Sequence, residues 1–317
     1  MYFASCKKDH KKPAGNADGT YNFHISVANF NQTISNNTIN SLKIKTLSVV
    51  SNPDSLFALA PYYELAIYDS NKQPVYDEFK GKNSTGYGTF DTKLPPGTYR
   101  VCLVGYNSRY VTIYSDRYLA FIQTTTDANK NLNMNQWSPV YCYSQPLTIN
   151  NADVSTTATL TRVTSQLVIN ITDAIPSGVF GIQVTPSYNY AGFNFYDYKP
   201  QQLTIAAGGV VVPQTLKDTI PASAKGKTGF QMVYNLLMDS TISVDIVAYA
   251  ANYNASTGVG LIAKKTVNNV NIKPNDQVIL SGNLFGGTTA TNGTSPGFNL
   301  SVDTAWSTTT LTQTFHY

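Results

Sequence analysis

The chain has 317 residues, 42% of them hydrophobic, 12% aromatic and only 13% charged, which excludes wholesale disorder and makes two domains the default. The charged share is about half the usual ~25%, too little to coat helices, and Thr, Ser, Asn, Val and Tyr stand in its place; these are strand and turn residues, so the composition argues for an all-β protein. The net charge of +4 comes largely from Lys7, Lys8, Lys11 and Lys12, so no basic stripe for nucleic acid exists, and no run nears the ~18 apolar residues of a membrane-crossing helix.

In chain order, Phe3-Ala4-Ser5-Cys6 comes first and resembles the lipobox of bacterial lipoproteins. On that reading Cys6 is the lipidation site, and a hydrophobic stretch is expected upstream of residue 1. Several acyl chains together would anchor the protein stably in a membrane. Residues 7–20 are polar with Gly and Pro and read as a flexible tether.

Period-two alternation follows, as half-buried strands require. It runs through Tyr21–Val27, Leu42–Ile44, Tyr63–Ile67, Tyr99–Leu103, Leu167–Ile171, Phe230–Leu236, Ile242–Ala248, Val278–Leu280 and Leu300–Val302. Turn clusters at Ser51–Asp54, Asp69–Asn71, Pro95–Gly97, Ile175–Gly178 and Lys273–Asp276 separate the runs. Short strands at this spacing predict sandwiches or barrels. Ser55–Ala60 and Ala191–Tyr198 are the only short helix candidates. Thr98–Asn107 resembles Thr241–Ala250 at an offset of 143, and Phe23–Phe30 answers Leu167–Ala174 at nearly the same offset. A duplicated unit follows, with a tether over 1–20, one sandwich over 21–160 and a second over 161–317.

Catalytic and metal chemistry finds little to work with. His10, His24 and His316 are scattered, no HExxH or HxH spacing occurs, and Glu64 and Glu78 are the only glutamates. Glu64 is expected in a strand and Glu78 in a polar loop. Most Asp residues fall in turns, where they bond their own backbone. No nucleophile elbow, P-loop or dinucleotide fingerprint appears, so the chain reads as a non-enzyme without cofactor or metal. Cys102 and Cys142 leave two readings open: a disulfide in an exported protein, or two buried thiols. Tyr188, Tyr190, Tyr196 and Tyr198, with Phe193 and Phe195, form the densest aromatic cluster; they are a candidate ligand or partner surface, or else core.

At this point the residues resemble a family. The lipobox at Cys6, the first strand Tyr21–Phe30 and Leu94-Pro95-Pro96-Gly97-Thr98-Tyr99-Arg100-Val101 make one half of the likeness. Arg162-Val163, Gln166–Asp173, Leu280–Phe285 and Phe298–Trp306 make the other. The chain is similar to the FimB-type anchor and fimbrillin-like lipoproteins of Bacteroidota type V pili. The resemblance implies two tandem transthyretin-like (Greek-key) β-sandwich domains, subunits joined by β-strand exchange, and a lipid-anchored place on the outer membrane at the cell surface. Asp54-Ser55-Leu56, Asp218-Thr219-Ile220, Asp239-Ser240-Thr241 and Asp303-Thr304-Ala305 resemble the O-glycosylation sequon of exported Bacteroidota proteins. That makes Ser55, Thr219, Ser240 and Thr304 candidate acceptors, with Ser55 foremost beside Pro53-Asp54.

Stalk subunits of the family open their groove when an arginine-specific protease removes the first strand. Here residues 1–99 hold no Arg and the first is Arg100, inside a predicted strand. The expectation is therefore an uncleaved anchor, tip or accessory subunit whose partners are fimbrial subunits. The strands Tyr21–Phe30 and Phe298–Phe315 are the candidates for exchange. The alternative is a surface lipoprotein that captures host or microbial glycans on its Tyr-rich loops.

Overall fold

Alternating apolar and polar residues put one face of a strand in a core and the other in water, and the described residues are built mainly this way. The structure, a computed structural model, describes residues 19–31, 60–107, 111–114, 121–124, 139–188, 190, 192–201, 215–286 and 298–303. The expected strand at Leu42–Ile44, residues 55–59 of the helix candidate Ser55–Ala60, and Cys6, Ser55 and Thr304 lie outside these residues. The first half contains β1 (Tyr21–Asn31), β2 (Tyr62–Tyr68), β3 (Pro74–Gly81), β4 (Thr89–Leu94), β5 (Gly97–Tyr106), β6 (Val111–Tyr114), β7 (Phe121–Thr124), β8 (Val140–Ile149) and β9 (Val154–Arg162). The second contains β10 (Ser165–Ile171), β11 (Gly181–Pro186), β12 (Gly192–Asn194), β13 (Lys199–Gln201), β14 (Leu216–Thr219), β15 (Phe230–Leu236), β16 (Ser240–Tyr249), β17 (Leu261–Ile272), β18 (Gln277–Gly282) and β19 (Phe298–Asp303). Among the described residues, one 3-10 turn spans Ala222–Ala224.

Seven strands of the first half form one sheet in the order β3-β2-β5-β8-β9-β1-β4. β8 and β9 pair only at Tyr141↔Arg162 and Cys142↔Thr161, so the sheet creases there into two layers. The end strands come together: Lys80 Nζ of β3 donates to Thr89 O of β4 at 2.6 Å and lies 4.9 Å over the Phe90 ring. Phe23, Ile25, Leu65, Ile67, Leu103 and Leu160 fill the space between the layers. Gly105 marks how closely they approach, since a Cβ there would stand 2.8 Å from the Tyr63 ring and 3.1 Å from Leu160.

The second half has two four-stranded sheets, β15-β10-β18-β19 and β14-β11-β16-β17. Their neighbour relations repeat those of the first half. Replacing β1, β2, β3, β4, β5, β8 and β9 by β10, β11, β14, β15, β16, β17 and β18 converts one set of pairings into the other, apart from the crease. Both the β1–β9 and the β10–β18 pair are parallel. The similar sequences at Thr98 and Thr241 fall on β5 and β16, and those at Phe23 and Leu167 on β1 and β10, which are matching strands. β19 is the exception, with no counterpart in the first half among the described residues.

The halves do not hang on a loose linker. Thr164, Ser165 and Gln166 are buried. Val163 N donates to Val140 O at 2.9 Å, Ser165 Oγ to Leu236 O at 3.1 Å and Gln166 N to Asp276 O at 2.8 Å. A fourth sheet, β13-β12-β7-β6, joins strands from both halves.

Two local expectations need correction. The described part of Ala191–Tyr198, residues 192–198, is not helical: β12 is followed by a turn, in which Asp197 N donates to Asn194 Oδ1 at 2.8 Å and Tyr198 takes a φ of 54°. A local side-chain acceptor and a left-handed residue both stop helix growth. Glu78 lies in strand β3, not in a loop, and bonds Tyr76 Oη at 2.7 Å.

Glu64 on β2 is half-buried. Burial, and then the Asp77 carboxylate, push its carboxyl from 4.5 up to about 7. A carboxyl raised by folding contributes stability below its unfolded value, and that contribution is lost as pH rises through the folded one. Glu64→Gln is therefore expected to melt above the wild type near pH 8 and to match it below about pH 4.5. Identical melting of the two proteins near pH 8 would refute this.

Candidate functional site

The residues singled out for assembly or binding sit in three places. The first is β1, whose apolar face (Tyr21, Phe23, Ile25) is part of the first core. β1 is hydrogen-bonded on both sides, to β4 and to β9. Asn22 adds a two-pronged bond to Asp153, N to Oδ1 at 2.7 Å and Nδ2 to Oδ2 at 2.9 Å. Those donors hold the Asp153 carboxyl below its usual value. His24 Nδ1 lies 2.7 Å from Asp91 Oδ1 across the β1–β4 pair. Removing β1 would break two ladders and empty a core.

The second place is β19, which among the described residues pairs with β18 alone, from Gln277↔Asp303 to Gly282↔Phe298. It occupies the outside of its sheet. Of the two strands expected to exchange, only β19 is an edge strand among the described residues; its residues 298–303 fall within the candidate segment, and 304–315 lie outside the described residues.

The third place is the aromatic cluster. It packs across the outer face of the first sandwich, where β2, β5 and β8 present Ala66, Tyr68, Cys102, Val104 and Cys142 to the second-half residues Phe193 and Phe195 in one continuous apolar cluster. Tyr68 meets the Tyr196 ring edge-on at 5.3 Å. Lys72 Nζ lies 4.8 Å from the centre of the same ring and Arg100 Cζ 5.4 Å, so cations of the first half cover it. Ser144 Oγ donates to Tyr196 O at 3.2 Å, and Lys72 Nζ bridges Asp197 at 3.2 Å. Tyr188 and Tyr190 pack edge to face at 5.1 Å against the second core. Tyr198 stays 41% exposed and leans edge-on against Phe193 at 5.4 Å. The four tyrosines are thus not gathered on one open surface; Tyr196 staples the halves together.

Cys102 and Cys142 lie beneath this cluster as buried free thiols, so the disulfide reading is corrected. The register explains it: Cys102 is opposite Ser144 and Cys142 opposite Val104. Side chains one step off the direct pairing sit ~7–8 Å apart in a sheet, whereas a disulfide needs Cβ atoms ~3.5–4.5 Å apart. Cys102 Sγ instead lies 3.6 Å from Ser144 Oγ. Burial pushes the Cys102 thiol up to about 12, and burial raises Cys142 well above its ordinary value too.

Of the candidate glycan acceptors, Thr219 is exposed at the end of β14 and Ser240 is half-buried at the start of β16. The Asp218 carboxylate beside Thr219 accepts a bond from Tyr234 Oη at 3.0 Å. Among the described residues, no three His, Cys, Asp or Glu side chains come together as a metal site would need.

The fold defined by this geometry, paired β-sandwich sheets with no α-helix among the described residues, recurs in solved structures. One is a Bacteroides ovatus protein described as a candidate adhesin, at 10% identity and a TM-score of 0.51, covering 84% of this chain and 88% of its own. Another is a Bacteroides eggerthii protein described as a candidate cell adhesion protein, at 11% identity and 0.51, covering 90% and 95%. The fimbrial anchor protein Mfa2 from Porphyromonas gingivalis aligns at 11% identity and 0.48, over 83% and 91%. No protein-family profile matches the sequence, and neither does any curated protein.

A thiolate must form and be reached before it reacts. Cys102 and Cys142 are expected to resist iodoacetamide in the native protein, read by mass spectrometry of their own peptides. Tyr196→Ala should admit the reagent to Cys102 at least about tenfold faster by opening the cover. Equal labelling of both proteins would show that Tyr196 does not close the seam.

Proposed function

We propose that the protein is a cell-surface lipoprotein of the type V fimbrial class, acting as an anchor, tip or accessory subunit and joined to its neighbours by β-strand addition. The reading takes the two halves as tandem transthyretin-like domains and Cys6 as the site of the outer-membrane anchor. It assigns no enzymatic activity.

The observation that carries it is the position of β19. An edge strand is a natural unit of β-addition, because backbone bonds give affinity and alternate side chains fill pockets. β1 is the poorer candidate, since its departure would open the first core. The absence of Arg before Arg100 supports a subunit that keeps β1 in place. Solved structures of this fold that are described as candidate adhesins support a surface role. The glycan-binding alternative relied on Tyr188 and Tyr196, and both rings are engaged by the protein itself.

Two experiments test the proposal. A fimbrillin encoded beside this protein should be captured by the intact chain and lost when residues 298–317 are trimmed. Capture that survives trimming would remove β19 from the mechanism, and no capture by the intact chain would sink the fimbrial reading. Separately, Cys6→Ala in the exported protein should move it from the membrane fraction to the soluble one; unchanged membrane retention would refute the lipid anchor.

A further inference from the structure

The parallel pair β10–β18 is held in register by a row of side-chain bonds. Gln277 Nε2 donates to Gln166 Oε1 at 2.6 Å, Asn170 Nδ2 to Ser281 Oγ at 2.8 Å and Thr172 Oγ1 to Asn283 Oδ1 at 2.6 Å. The row ends at Asp173. Its carboxylate accepts the backbone N–H groups of three successive residues: Leu284 at 3.0 Å on Oδ1, then Phe285 at 2.6 Å and Gly286 at 2.7 Å on Oδ2. Bonds to an ionised acceptor are roughly twice as strong as neutral ones. Leu284 is buried in the second core, so this stretch is held by its backbone and by its side chain. Beyond it, β19 pairs with β18 and, among the described residues, with no other strand.

Two independent features separate β19 from the body of the fold. In the first half the same seven-strand connectivity carries, among the described residues, no strand in the place that β19 takes beside β18. And the chain is fastened at 284–286 before β19 begins.

We infer that β19 is a separately releasable strand and that Asp173 is the positioning residue that confines its release. β19 leaves by opening its single ladder to β18, while Asp173 and buried Leu284 keep β18 seated on β10. Opening one edge ladder costs less than global unfolding, and so defines a local unit of low stability. This rests on the reading of β19 as the assembly strand and supplies its conformational step: the strand can be offered to a partner without opening the second core.

Hydrogen exchange on the full chain, resolved by mass spectrometry, tests this without any fimbrial partner. In the wild type, amides of Phe298–Asp303 should exchange about 100-fold faster than those of Leu167–Ile171 on β10. Asp173→Ala should spread fast exchange beyond 284–286 into Val278–Leu280. Asp173→Asn keeps an acceptor oxygen and should spread it less; it also carries the comparison should the alanine variant not fold. Equal protection of β19 and β10 overturns the inference, as does an Asp173 variant whose β18 amides exchange as in the wild type. Because no partner enters the measurement, those results leave the fimbrial reading standing. Failed fimbrillin capture with the expected exchange pattern would remove that reading alone.

Discussion

Arg162 sits where the two halves of the chain become one structure. It ends β9, pairs with Tyr141 at the crease of the first sheet, and is the first residue of the buried crossing to β10. Its side chain is 1% exposed, with the guanidinium 5.4 Å from the centre of the Tyr141 ring. Burial lowers its pKa to about 10, which still leaves it charged at neutral pH. A buried cation is costly unless its surroundings are fixed around it. The seam therefore demands one arrangement of β8, β9 and the Val163–Gln166 crossing. The bonds from Val163 to Val140 and from Gln166 to Asp276 tie that crossing to both halves.

That fixed seam decides which surfaces the molecule can offer. The outer face of β2, β5 and β8 is committed to the second half, with Tyr68, Cys102 and Cys142 under Phe193 and Phe195. Lys72 and Arg100 close over Tyr196 from the same side. The first sandwich is thus occupied on that face, and its central β1 is bonded on both flanks. The second sandwich keeps β19 on an edge. A sheet edge is a hazard that proteins ordinarily blunt. β17, the edge of the other second-half sheet, carries such blunting: Lys264 and Lys265, two register shifts against β16, and Asn269 at a φ of 59°.

Much of this architecture was legible in the sequence wherever alternation was clean. Phe23 and Ile25, Leu65 and Ile67, Leu167 and Ile169, and Val244 and Ile246 all lie on buried strand faces. The duplication was legible because β5 and β16 both end in a buried apolar run that leads to a Tyr. What escaped had physical reasons. β3 alternates Val75, Asp77 and Phe79 on its exposed face, so its apolar residues mark water rather than core. The register shifts of β17 interrupt its period. The fate of the Tyr-rich segment was out of reach because the groups that cover Tyr196 lie at Lys72 and Arg100, about a hundred residues away in the chain. Cys102 and Cys142 posed a similar problem, since a disulfide and an unpaired diagonal differ only by register, which composition does not fix.

Duplication by itself would give two equivalent sandwiches, each with the same edges. The molecule departs from that symmetry at one corresponding position, the side of β9 and β18 away from their parallel partners. In the first half that side of β9 meets β8 at the crease, through Tyr141↔Arg162 and Cys142↔Thr161. In the second, β18 has no such crease and receives β19 instead. The same strand position thus serves inward cohesion in one half and an added strand in the other. Closing both halves by a crease would leave no strand to spare, and leaving both open would expose two unpaired edges. The asymmetry gives the chain one half whose β9 is tied inward to β8 and one whose β18 carries a strand outside its sandwich.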